Sequence, residues 1–203
     1  MPNLFSYVVE HDRGHAPNPY FNDCTLCRCK YRESKSKPRN LIERAEIGDW
    51  VVGTGGANRK RSSGHGTIVY AMRVDEKLTR QKYFHQRRFH KKKPVGTGSY
   101  DRTLGDNLEP QSPFEQEQQF VLISRHFFYF GKKAISYPTK KFPHLEKRGP
   151  RYRRDFDDEF IERFVKWLTS ETGYKPGKHG DPCMREVESP SRKSRNKDCK
   201  PSC

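Results

Sequence analysis

The chain has 203 residues, 32% hydrophobic and 33% charged, with 41 Lys and Arg against 25 Asp and Glu. That length allows one ordinary domain with tails, and so polar a composition requires the apolar residues to be concentrated in one part of it. The net charge of +16 favours a polyanion as partner, most simply nucleic acid, and no apolar run reaches the length of a bilayer span.

The N-terminus, "MPNLFSYVVEHD", has no positive leader, and its apolar run is too short for a secretory signal. The expectation is a cytoplasmic protein without a membrane partner. Cys24, Cys27, Cys29, Cys183, Cys199 and Cys203 are then expected as thiols or metal ligands rather than disulfides.

Residues 4–10, "LFSYVVE", alternate and read as a strand. A loop over 11–38 follows, holding "GHAPNPYFNDCTLCRC". Residues 39–47 read as a short helix capped by Asn40, and Gly48-Asp49 as a turn into a strand over 50–54. "GANRKRSSGHG" reads as a flexible basic loop, and residues 67–76, "TIVYAMRVDE", as the clearest strand. Residues 79–89 suit a helix capped by Thr79, with Tyr83 and Phe84 facing inward. A long irregular connection leads to "FVLISRHFFYFG", two short apolar runs that read as strands. In "RDFDDEFIERFVKWLTSETG", Phe156, Phe160, Phe164 and Leu168 lie four apart, with Asp155 near the N-cap and Gly173 as C-cap, which is an amphipathic helix. The expected organisation is one α+β domain over 1–174 and a basic, disordered tail over 175–203.

The cysteine-rich loop admits several chemistries. C-x-x-C-x-C supplies zinc ligands, with His11, His15 or Cys183 available as a fourth, but no second paired knuckle exists, so neither metal nor cofactor is expected. Cys24 and Cys29 otherwise pack as small apolar groups or provide a thiol, with Arg28, Lys30 and Arg32 near enough in sequence to favour a thiolate. Asp12 follows a strand and suits either a general base or a loop cap. Asn18, held between Pro17 and Pro19, presents its amide to a base edge or caps neighbouring backbone. Tyr20 and Trp50 are candidates to stack on a base. Thr54 and Gly55 would stand at the mouth of a pocket. Arg59, Lys60 and Arg61 in the glycine-rich loop, and Arg87 and Arg88 among Tyr83, Phe84 and Phe89, are candidate phosphate contacts.

Two resemblances sharpen this reading. The order helix, "GD" turn, strand, basic loop, strand resembles the PUA-like group of small β-barrels, including the EVE and ASCH domains. That resemblance implies a small curled sheet or barrel with a pocket able to take an extruded nucleobase. The combination of "LFSYVVEHDRGHAPNPYFNDCTLCRCK", "IGDWVVGTGG", "IVYAMRVDEKLT" and "LISRHFFYFGKKA" resembles the nucleotide modification associated domain 2 family over residues 4–138. It implies association with enzymes that modify DNA or its nucleotide precursors. The chain departs from the family pattern at Cys27, Arg28 and Tyr31. It also departs in the segment over 108–121, which is shorter than expected and has no His. The resulting expectation is a module that binds a nucleotide or a modified nucleobase, in DNA rather than RNA. The alternatives are a thiol-dependent enzyme using Cys24 or Cys29 with Asp12, and a zinc-stabilised adaptor.

Overall fold

The computed structural model describes residues 2–27, 40–92, 120–147, 149 and 151–184. The fold is mixed α+β. A central sheet takes strands from along most of the chain: β1 (Leu4–Val9), β3 (Trp50–Gly55), β4 (Thr67–Arg73), β7 (Phe127–Tyr129), β8 (Ile135–Ser136), β9 (Tyr152–Arg153) and β10 (Gly177–Lys178). Their order is β10-β7-β4-β3-β1-β9, with β8 also on β4. β1 and β3 run parallel, β3, β4 and β7 are successively antiparallel, and β10 lies parallel to β7. A second, antiparallel sheet has the order β2 (Cys24–Leu26), β6 (Phe120–Ser124), β5 (Glu76–Thr79). Among the described residues neither sheet closes on itself, so the barrel expected as one possibility is not formed.

The core explains the layering. Phe5, Tyr7, Val51, Met72 and Tyr129 of the central sheet pack against Cys24, Leu26 and Leu122 of the small sheet, and against Leu41 and Ile42 of α1 (Leu41–Arg44). Trp50, Val52, Ala71 and Phe128 pack on the opposite side against Phe160, Ile161 and Phe164 of α4 (Asp158–Lys166), with Phe142 between them. The far face of the small sheet, Val121 and Ile123, meets Tyr83 of α3 (Arg80–His85), Phe89 and Cys27. β4 is thus covered on both faces, which is why "IVYAM" is apolar without interruption.

The caps follow the local chemistry. Asn40 Oδ1 accepts from Glu43 N at 3.0 Å, and Thr79 Oγ1 from Lys82 N at 3.2 Å, as expected from their positions. α4 is capped two residues later than expected, by Asp157, whose Oδ1 accepts from Phe160 N at 2.7 Å, while Asp155 pairs with Arg153 instead. Phe84 is half-buried, whereas Tyr83 is fully inside.

Three further segments differ from expectation. The loop over 11–38 contains β2, held by an isolated bridge between Asn18 and Thr25. The basic loop before β4 contains one helical turn, α2 (Arg59–Ser62), capped by Asn58. Residues 177–184, placed by sequence in the tail, pair with β7 through β10 and then return to β1's end, where Met184 N donates to Asp12 O at 2.8 Å. The remainder of the tail, Cys29, and the segment over 108–119 lie outside the described residues.

Candidate functional site

The ends of β1, β7 and β10, together with α2, bring one acid, one thiol and three cations to the same place. Asp12 follows β1, and its carboxylate is buried. Tyr129 Oη, on β7, donates to Asp12 Oδ1 at 2.5 Å, and Cys183 N donates to Oδ2 at 3.1 Å. The Cys183 thiol lies 3.1 Å from Ser63 Oγ. Ser63 Oγ in turn donates to Gly131 O at 2.9 Å. Backbone bonds lock the surroundings: Asp12 N donates to Arg61 O at 2.9 Å, and Lys132 N to Asp181 O at 2.7 Å. Gly14 has φ +72°, and a Cβ there would lie 2.5 Å from Pro182 Cγ, so only glycine lets the segment before Cys183 seat here.

In front of this group lies a cleft of about 420 Å³ lined by Arg59, Lys60, Ser63, Lys132, Ala134 and Cys183. That volume is within the usual range for a small-molecule site. Arg59 and Lys60 project from α2, and Lys132 from the turn after β7. None of the three side chains is held in an ion pair among the described residues. The charges therefore stay available to an anion, while Ser63 and the thiol form polar floor.

Burial sets the electrostatics behind the cleft. Desolvation raises the Asp12 carboxyl above its ordinary value, only partly opposed by the hydrogen bonds from Tyr129 and Cys183. Tyr129 is pushed well above the ordinary phenol value, by burial first and by the Asp12 charge second. Burial also raises the Cys183 thiol, although its contact with Ser63 works the other way. Asp12 is thus held behind the cleft by the Tyr129 hydroxyl and the Cys183 backbone N–H.

The residues singled out from sequence separate into two sets. Asp12, Arg59 and Lys60 come together here. Arg61 sits on the same helical turn, its Nη1 3.2 Å from His11 Nε2. Tyr20 is half-buried next to Gly14, with Lys178 Nζ 5.3 Å from its ring centre. The others lie elsewhere. Asn18 is fully buried, and its Oδ1 accepts from Tyr20 N at 3.2 Å and from Lys92 Nζ at 3.3 Å, so its amide caps backbone and does not face a cleft. Trp50, at the opposite end of β3 from Gly55, is buried edge-on to His126. Thr54 is fully buried and donates to Tyr7 O at 3.2 Å. Gly55 is roofed by the Gly64 and Ser62 carbonyls, so neither residue stands at a mouth. Cys24 is fully buried in the central core, whereas Cys27 faces the small sheet's outer cluster, so C-x-x-C does not converge. Arg88 is bound to Glu76 through both guanidinium nitrogens, at 2.8 and 2.5 Å, and holds that carboxyl below its ordinary value. Arg87 is exposed beside it, on the small-sheet side of the fold.

Ser63, Tyr129 and Lys132 were not singled out from sequence, and Cys183 only as a fourth ligand in the zinc alternative. Cys183 lies 171 positions from Asp12, and no local spacing announces that meeting. A second cleft of about 740 Å³ is lined by His65, Tyr137, Phe142 and Arg153 among others. Its principal charges are already paired, His65 with Glu146 and Arg153 with Asp155. Among the described residues no three His, Cys, Asp or Glu side chains are grouped to hold a metal ion, and no helix is long and apolar enough to cross a membrane.

No curated protein and no solved structure matches the chain. A family model does, over residues 1–120 and 114–189, which together reach from β1 to beyond Cys183. The chain belongs to the nucleotide modification associated domain 2 family.

Proposed function

We propose that the protein is a nucleotide- or nucleic-acid-binding module of DNA base modification, and that it takes the ligand's phosphate in the cleft between α2 and the turn after β7. The observation that carries this reading is the convergence of Arg59, Lys60 and Lys132 around Ser63, with no carboxylate among the lining residues. The net charge of +16 supports a polyanion, with DNA preferred to RNA, and family membership supports a nucleotide context. Kinship with PUA-like folds is kept as part of this proposal. It puts a recognised base beside the β3–β4 connection, where the cleft opens, and not against Asn18 or Trp50. Association with DNA-modifying enzymes in the cytoplasm completes the reading.

The test is a titration of the protein against fluorescent single- and double-stranded DNA and RNA, with and without modified bases, at two salt concentrations. Binding that weakens with salt, and is lost when Arg59, Lys60 and Lys132 are all changed to Gln, supports it. Unchanged binding by that triple variant would remove the cleft from the reading. The contact of buried Asp12 with the backbone N–H of Cys183, whose side chain lines the cleft, favours a second reading, an enzyme of nucleotide or base modification.

A further inference from the structure

The loop between β1 and β2 turns an aromatic ring outward at a conformational cost. Phe21 and Asn22 both have left-handed backbone, at φ 59° and 68°. Asn adopts that region readily, whereas a bulky aromatic side chain does so against steric resistance. Packing does not repay Phe21 for it. The ring stays 38% exposed, one of three large apolar side chains in that condition among the described residues. Backbone strain that gains no burial is characteristic of ligand contacts.

The surroundings of Phe21 show what kind of contact. Lys91 Nζ lies 5.7 Å from its ring centre, and no ion pair holds Lys91 among the described residues. On the other side is the Tyr20 ring, 6.4 Å away between centres and tilted by 53°. Lys178 Nζ stands 5.3 Å from the Tyr20 centre, steadied by Asp181 at 2.7 Å. Two rings flanked by two ammonium groups thus form a row from β10 to the turn after α3. The row adjoins the cation cleft. A Cβ on Gly14 would lie 3.3 Å from Tyr20 Cε2 and 2.5 Å from Pro182 Cγ, and the residue after Pro182 is the cleft-lining Cys183.

Cations alone take the phosphate of any nucleotide, but exposed rings ask for flat partners. In a duplex the faces of the bases are covered by their neighbours, whereas unpaired bases present them. The tilt between Tyr20 and Phe21 means that they offer no common wall, so each meets a different base. A free mononucleotide, with one base, leaves part of the row empty. Resting on the nucleic-acid-binding reading, we infer that Tyr20 and Phe21 are a stacking platform for unpaired bases of single-stranded DNA whose backbone continues into the cleft of Arg59, Lys60 and Lys132. Lys91 and Lys178 lie beside the phosphates that flank the stacked bases. Stacking of this kind tolerates any sequence, because every base has a π face.

The experiment titrates the full chain, by fluorescence anisotropy, against labelled oligothymidylate of about 12 nucleotides, within the usual span of a single-stranded site. An abasic chain of the same number of phosphates and a duplex of the same length are run beside it. Expected is tighter binding of the oligothymidylate than of either. Phe21→Ala should weaken oligothymidylate binding about 5- to 150-fold and leave the abasic chain unaffected. It should leave the slope of log affinity against log salt unchanged, because a ring displaces no counterion. Phe21→Tyr, which keeps a π face, should bind as the wild type does. Thermal unfolding checks that both variants are folded, and the abasic comparison on the wild type needs no variant. Equal binding of the abasic chain, duplex binding at least as tight as single-stranded, or a Phe21→Ala loss shared by the abasic chain overturns the platform and leaves the binding reading standing. Absence of binding to all three probes overturns both.

Discussion

The hydroxyl of Tyr129 donates to the carboxylate of Asp12 across 2.5 Å, joining β7 to the end of β1 inside the domain. The pair is buried on both sides, so each group depends on the other to replace water. Tyr129→Phe keeps the ring and removes the donor. It should destabilise the fold by about 1–3 kcal/mol, because the carboxylate is left short of a partner. Urea unfolding of the two proteins measures it. A loss below a few tenths of a kcal/mol would mean that other donors already satisfy Asp12.

The same acid makes stability depend on pH in a definite direction. Burial raises the folded-state value of Asp12 above its ordinary 3.8, so the folded chain holds this proton more tightly than the unfolded chain. The contribution of Asp12 to stability is therefore complete below the unfolded value and is lost as pH rises through the folded one. Asp12→Asn cannot titrate and does not suffer that loss. The unfolding free energy of the variant should gain on the wild type as pH rises through this window and run parallel to it above. A difference that stays flat with pH would show that Asp12 titrates alike in both states.

Gly53 is fixed by a neighbour across the sheet. A Cβ there would lie 2.3 Å from Tyr70 Cε1 and 2.6 Å from Val9 Cγ2. Tyr70 cannot swing away cheaply, because its hydroxyl is 2.7 Å from that of Tyr7 and both rings are buried. Gly53→Ala should cost about 1–3 kcal/mol by overpacking. Adding Tyr70→Phe should not restore the loss, since the clash is with the ring and not with the hydroxyl. Thermal melts of the single and double variants decide this.

What could be read in advance depended on whether the deciding partners are local. Asn40 and Thr79 cap helices through bonds to residues three positions on, and the spacing of Phe156, Phe160 and Phe164 marks α4 by itself. The family resemblance was legible because its motifs are contiguous. β2 was missed because three residues in a Pro-rich loop carry no period, and only pairing with Ser124 and Leu122 makes them a strand. Lys92 shows the limit most sharply. In "HKKKP" it reads as one more solvated charge, yet it is buried, with Nζ donating to Asn18 O at 2.9 Å and Asp23 O at 2.7 Å. It clamps the loop that the sequence reading took for a base-reading wall. Lys92→Met should remove the ammonium donor from both carbonyls, Asn18 O keeping only Thr25 N, and destabilise the domain by about 1–3 kcal/mol, measurable by urea unfolding.

Charge alone does not say which cations meet phosphate, and the ion pairs separate them. Arg88 and Arg59 are equally plausible contacts by composition, but Arg88 is committed to Glu76, while Arg59 lines the cleft with Lys60 and Lys132. Each phosphate contact replaces about one condensed counterion, so losing one lowers the slope of log affinity against log salt by about 1. Arg59→Gln, Lys60→Gln and Lys132→Gln should each weaken binding to single-stranded DNA and flatten that slope. Arg88→Gln should leave both unchanged, because it breaks an ion pair on the small-sheet side without touching the cleft. If Arg88→Gln flattens the slope as much as the cleft variants do, the phosphate path runs over the small sheet and the cleft is not its centre. If only the cleft variants do, the cations beside Cys183 and Asp12 hold the ligand within reach of the thiol.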